Sequence, residues 1–354
     1  MGIIGRTIDS LLGRGEAAVT VPPLDGALRP NRRLDEATRL PLREVDCLAA
    51  VAGELMASAG DTIFALRGGA WSARRRHESA VTCIAEANGG LAAALATGEI
   101  VIEGGAFHER RYRVAPGLGC ITAMAVHRQT LFAANGSASN APDDWQLDLL
   151  ERRASGSLWR VDLESGAAAR IAGGLAFPAG LVVDGEAIVY SEAWRHRLVR
   201  REASGHTAIL HADLPAYPGR IAREDGGFWL AAFAPRSQLV EFVLREPGYR
   251  RRMVAEVPRA FWIAPKLRSG RSFYEPLQGG GVKHLGLLKP WAPTLSAGLC
   301  VELDERFQPR ASLHSRADGA THGVTSVIRH EGRLYAAARG DGVVVSLPLG
   351  EAAP

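Results

Sequence analysis

A unit of about 40 residues repeats along this chain, and that repetition limits its fold more than any other feature. Each copy has a short apolar strand, a turn with Gly or Asp, a second strand rich in small residues, and a third alternating strand. It reads DCLAAVAGELMASAGDTIFAL from Asp46, TCIAEANGGLAAALATGEIVI from Thr82 and GCITAMAVHRQTLFAANGS from Gly119. It returns as AGLVVDGEAIVYSEAWRHRLVR from Ala179, GRIAREDGGFWLAAFAPRSQLVEF from Gly219 and VTSVIRHEGRLYAAARGDGVVVSL from Val324. The first three copies start 36 and 37 residues apart. Later intervals lengthen because segments at about 137–155 and 245–298 interrupt their units. Six such units predict an all-β fold, a six-bladed β-propeller. A helical solenoid would need 3.6-residue periodicity, and these runs alternate or stay apolar for only four to six residues.

The helical pieces, DDWQLDLLERR (Asp143 to Arg153) and LVEFVLREPGYRRRMVAEV, lie in or beside the insertions. We expect them to be short helical lid insertions over one mouth of the channel. Residues 41–350 then form the propeller, and residues 1–40 form an N-terminal extension. Ile3, Ile4, Ile8, Leu11 and Leu12 fit one face of a short helix in that extension.

Composition removes several function classes. Of 42 basic residues only Lys266, Lys283 and Lys289 are lysines, and the arginines are scattered. A phosphate-binding face concentrates its charge, so nucleic acid is not expected as a partner. No apolar run reaches the length of a membrane helix, and no secretory signal is evident, which points to a cytoplasmic, non-membrane protein. Cys47, Cys83, Cys120 and Cys300 form no CxxC pair, so no structural zinc site is expected. Cys47, Cys83 and Cys120 take one slot in the first three units, as small apolar residues on inner strands. Gly279-Gly280-Gly281 has no following GK[ST], and a lid hinge suits it better than a nucleotide site.

The segment GSASNAPDDWQLDLLERRASGSLWRVDLESGAAARIAGGLAFPAGLVV resembles the middle of strictosidine-synthase-like proteins, with their acidic-aromatic helix, "GRLxRYD" strand and "GLxFPNG". YSEAWRHRLVR, LPAYPGRIAREDGGFWLAAFAPR and HEGRLYAAARGDGVVVSL resemble later strands of that family, in order. The resemblance spans roughly Leu131 to Leu347. It implies a six-bladed propeller related in shape to paraoxonases and gluconolactonases. In the hydrolytic relatives it implies a calcium ion held in the channel by oxygen ligands.

Matched position by position, the chain departs from that pattern. Asp46 keeps the acidic residue of the first metal ligand. Ala179 replaces the asparagine of "FPNG", and Gly219-Arg220 replaces "DN". Alanine cannot ligate, and a guanidinium repels a divalent ion, so no metal cofactor is expected. Thr325 stands where the synthase has its catalytic glutamate, which argues against a Pictet–Spengler-type condensing synthase. The candidate catalytic residues are Asp46, Arg220 and His322; the candidate substrate-binding residues are Thr82, Asn135, Glu192, Thr325 and Trp291. Two readings stay open for Asp46 and Arg220. Arg220 could stabilise an oxyanion while Asp46 or His322 moves a proton, giving hydrolysis of an ester or lactone without calcium. Alternatively the two pair with each other and plug the channel. The chain would then be a non-catalytic propeller that binds an anionic metabolite or a protein partner. On the first reading, Arg220→Ala abolishes turnover and leaves the fold intact.

Overall fold

Short strands in this chain lose exposure from the outside of each sheet inward. In the first blade the innermost strand, Val45–Val51, is almost wholly buried, whereas the outermost, Ala70–Arg76, carries three consecutive exposed arginines. The second strand of the next blade, Gly90–Leu95, is buried throughout. Its run of alanines lets neighbouring sheets stack closely. The first hairpins turn at Ala52-Gly53, Asn88-Gly89 and Glu331-Gly332, all at positive φ. That is the backbone of the type I′ turn, whose twist matches the flanking strands.

The computed structural model describes residues 21–115, 118–272, 274–276, 283–284, 287–288 and 294–349. It is a six-bladed β-propeller of four-stranded antiparallel sheets. The inner strands, in order round the channel, are Val45–Val51, Val81–Ala87, Ile121–His127, Pro178–Asp184, Ala216–Glu224 and Val324–His330. The sixth blade takes its outermost strand from the other end of the chain: Thr38–Pro41 pairs with Val343–Pro348, Thr38 opposite Ser346. The expected division at residue 40 thus falls inside a strand of the ring. The cores lie between blades, as in the cluster joining Ala49, Ile84 and Met124 of the first three.

Both long excursions leave from second strands, after Asn135 in the third blade and after Pro235 in the fifth. Among the described residues they form three short α-helices: α1 (Trp145–Glu151), α2 (Gln238–Arg245) and α3 (Pro247–Glu256). Ser237 caps α2 by accepting from the Val240 amide, and Pro247 starts α3 after a break at Glu246. Leu149, Leu150, Val243 and Met253 join Phe177, Tyr217 and Phe233 of the blades in one cluster. The helices are therefore packed onto one mouth of the channel. No described helix is long and apolar enough to cross a membrane. The apolar face expected over residues 3–12 lies outside the described residues.

Candidate functional site

Every inner strand breaks register at the same height. The β-bulges fall at Asp46, Thr82, Thr122, Ala179, Gly219-Arg220 and Thr325, one position in each blade. A bulge leaves a residue outside the ladder and redirects its side chain and carbonyl. Here six bulges redirect them into the channel. Close approach is required as well: a Cβ on Gly180 would come within 2.1 Å of the Gly219 carbonyl oxygen.

Arg220 occupies the centre of this ring. Its Nε donates to the Thr122 carbonyl at 3.0 Å. Nη1 donates to the carbonyls of Asp46 and Thr325 at 2.9 and 3.2 Å. Nη2 donates to the Asp46 carboxylate at 2.7 Å and to the Thr82 carbonyl at 2.8 Å. A guanidinium has five N–H donors, and all five are used. One residue of the fifth blade is thereby bonded to the first, second, third and sixth. Arg220 also lines both a cavity of about 80 Å³ on the helix side and one of about 260 Å³ on the other, so it divides the channel.

Burial pushes the Asp46 carboxyl up, but the guanidiniums of Arg220 and Arg339 outweigh it and hold the group below the usual carboxylate value. Arg339 Nη1 lies 3.4 Å from the second Asp46 oxygen, and its Nη2 donates to Asp143 at 2.6 Å. The Asp46 charge raises the Arg339 pKa. These residues do not fit a divalent cation. The oxygens that could face one are taken by a permanent cation, and Ala179 offers no side-chain ligand. No group of three or more metal-ligating His, Cys, Asp or Glu occurs among the described residues.

The smaller cavity is a chamber with a polar floor and apolar walls. Asp46, Thr82, Thr122, Thr325 and Arg220 form the floor, and Arg339 stands at its edge. Trp145 of α1, Phe177, Phe233, Ile121 and Leu267 are among the walls. Trp145 meets Phe233 edge-on at 5.4 Å, and Trp194 behind the wall stacks on Phe177 at 4.5 Å. Phe177 holds φ at +55°, a strained backbone for a bulky residue, immediately before the fourth bulge. The three threonine hydroxyls donate to carbonyls, Thr325 to Asp46 at 2.7 Å and Thr122 to Pro178 at 2.6 Å. Each keeps a lone pair for a ligand donor.

Asp46, Thr82, Arg220 and Thr325, named from sequence, thus meet at one point, with Ala179 beside them. Three other candidates do not. His322 is wholly buried; Nδ1 accepts from Ser296 at 2.8 Å and Nε2–H donates to the Arg316 carbonyl at 2.7 Å. Burial, with Arg268 nearby, lowers its pKa and keeps it neutral. Glu192 is also wholly buried, bonded to the Ala176 amide, Arg195 and Arg197 at the third-to-fourth blade junction. Asn135 accepts from the Cys120 amide and donates to the Ser137 carbonyl, bracing the start of the α1 excursion. None of the three lines the chamber. Trp291 lies outside the described residues. Thr122 and Arg339 are site residues that the sequence reading missed. The cysteine alignment hid Thr122: Cys47 and Cys83 directly follow their bulges, but the equivalent residue of the third blade is Ala123, not Cys120.

No protein-family profile matches this chain, and no curated protein matches it. Among solved structures, a luciferin-regenerating enzyme superposes with a TM-score of 0.55 at 13% identity, covering 88% of this chain and 94% of that one. A candidate gluconolactonase gives 0.51 at 11% identity, covering 90% and 91%. Likeness at such identities establishes the shared six-bladed fold. It does not establish the strictosidine-synthase-like relationship.

Proposed function

We propose that the chamber binds a compact small molecule without turning it over. The apolar part of the ligand packs against Trp145, Phe177 and Phe233, and a carbonyl or carboxylate oxygen meets Arg339. At about 80 Å³ the chamber admits a group the size of two or three waters at liquid density, so only part of a larger ligand would enter. One observation carries the choice of binding over chemistry: every N–H of Arg220 is spent on the protein itself. The cation expected to stabilise an oxyanion has no donor left for one. The remaining proton carriers support the same reading, since Asp46 is a weakened base and His322 does not line the chamber.

Hydrolysis of an ester or lactone is the second reading. It is favoured by the Asp46 carboxylate and Arg339, which line the chamber side by side. Arg339 would polarise the carbonyl and Asp46 would take a proton from water. The candidate gluconolactonase among the fold neighbours fits this reading. Thermal shift and product analysis on one panel of small lactones, esters and their acids separate the two. We expect stabilisation by compounds recovered intact, reduced in Arg339→Gln. Steady turnover that Asp46→Asn abolishes would replace the first reading with the second.

A further inference from the structure

Lysine is scarce in this chain, and one of its three copies is buried with no ion pair among the described residues. Lys266 is 9% exposed. Its Nζ donates to the Ala260 carbonyl at 2.6 Å, which leaves two N–H bonds without an acceptor among the described residues. Glu275 is the carboxylate whose charge reaches it, but the Glu275 oxygens accept from the Gly270 and Ser272 amides at 2.7 and 3.2 Å. Burial pushes the Lys266 ammonium below its ordinary value, and Glu275 only partly offsets this. Buried lysines are ordinarily paired, because an uncompensated buried charge costs several kcal/mol.

Lys266 does not point into a core. It lines a groove of about 700 Å³ above the chamber. Arg259, Lys266, Arg268 and Arg339 bring four positive charges to this groove, against Asp143 and Glu275. Arg259 is engaged with Asp144, Gln146 and the Asp143 carbonyl, and Arg268 with Asp341 and the Gly319 carbonyl. Among the described residues each of the three arginines is paired with a carboxylate, and Lys266 alone of the four is not. Groove and chamber share Trp145, Leu267 and Arg339, so one ligand can occupy both.

We propose that Lys266 binds the anionic group of the ligand. This would be a carboxylate or phosphate monoester several atoms from the apolar part that enters the chamber. The proposal rests on reading the chamber as a small-molecule site and adds the ligand's charge and where it sits. An anion there supplies the counter-ion that the protein withholds, and a neutral analogue leaves the ammonium unpaired.

Hexan-1-ol, hexanoate and hexyl phosphate share a tail and differ in the head. Their affinities for wild type, Lys266→Gln and Lys266→Arg can be read by ligand-observed NMR. In wild type we expect the anions to bind about tenfold tighter than the alcohol, a preference worth about 1.4 kcal/mol. Lys266→Gln should abolish the preference and leave the alcohol's affinity unchanged, and Lys266→Arg should retain it. Raising KCl from ~50 to ~500 mM should erode it in wild type, a readout that needs no variant to fold. The tighter of the two anions identifies the head group. Equal binding of alcohol and anions, or a preference indifferent to both salt and Lys266→Gln, overturns the proposal and leaves the chamber reading standing. Binding of none of the three overturns the chamber reading and this proposal together.

Discussion

Taking away the Arg220 side chain would leave four backbone carbonyls without their donor and the buried Asp46 carboxylate with Arg339 alone, 3.4 Å from its other oxygen. Breaking a buried pair from one side costs about 3–5 kcal/mol, because the stranded charge and acceptors lose their partners. Arg220→Ala should therefore lower unfolding stability by that amount in urea denaturation at neutral pH. The expectation that this variant merely loses turnover gives way to a loss of stability. Arg220→Lys should fall between the two, since an ammonium has three donors for five acceptors. A wild-type denaturation midpoint in Arg220→Ala would show that the guanidinium is not a structural link. Sequence could identify Asp46, Thr82, Ala179, Arg220 and Thr325, because each sits at the start of an inner strand beside a matched motif. It could not reveal what Arg220 bonds to, since four of its five acceptors are backbone carbonyls, and carbonyls leave no mark in residue types. His322 and Glu192 misled for a related reason. A chemically capable side chain beside an inner strand can point between blades as readily as into the channel.

The turn Ala193–Arg195 lies between the second and third strands of the fourth blade and touches the lid, with Trp194 Nε1 donating to Asp148 of α1 at 2.7 Å, and a titration is built in beside it. His196 follows the turn at φ +49°, packs on Tyr217 at 4.7 Å and has its Nε2 3.6 Å from Glu241 of α2. Burial first, then Arg236, lowers its pKa to about 3. Burial likewise lowers His314 to about 4. A free histidine titrates near 6.5, so between that pH and the folded value the unfolded chain binds a proton that the native chain refuses. Stability is therefore full above about pH 6.5 and falls as the pH drops toward the folded values, by roughly 2 kcal/mol per histidine at pH 5. His196→Asn, which tolerates the left-handed backbone, should remove roughly 2 kcal/mol of the loss measured by denaturant titration between pH 7.5 and 5, the remainder belonging to His314 and His322. An undiminished loss would place the titration elsewhere. Asp46 acts in a lower window. Its contribution is present above the unfolded value near 3.8 and is lost as the pH falls through the still lower folded value. The helices themselves were only partly legible. SQLVEF closes the fifth repeat and LVEF also opens the expected helical piece; the Ser237 cap and buried Val240, Val243 and Leu244 at helical spacing make it α2, and Pro247 divides that piece into two helices.

A ring of blades is only as stable as its seam, and here the seam joins the two ends of the chain. Thr38–Pro41 completes the sixth sheet, and the residues before it fasten the fifth. Leu34 is wholly buried among Trp229, Leu313 and Val327. Asn31 donates to the Ser312 carbonyl at 2.8 Å, Asp35 accepts from Ser315 at 2.7 Å, and Arg39 donates to Thr321 at 2.9 Å. The six-fold count was readable because each blade repeats a buried pattern. The seam was not, because its four residues, TRLP, are mostly exposed and pair with a strand some 300 positions away. Removing residues 1–41 would strip that strand, leave Val343–Pro348 as an unpaired edge and uncover the Leu34 pocket. Such an edge invites pairing with another chain. We expect the truncated protein to elute from size-exclusion chromatography largely as oligomer or aggregate and to lose the cooperative calorimetric transition of the full chain. Removing only residues 1–20 spares every contact named here and should leave the transition in place. If the 1–41 deletion melts like the full chain as a monomer, the ring is held by the inner strands and Arg220 alone, and the terminal strand is dispensable.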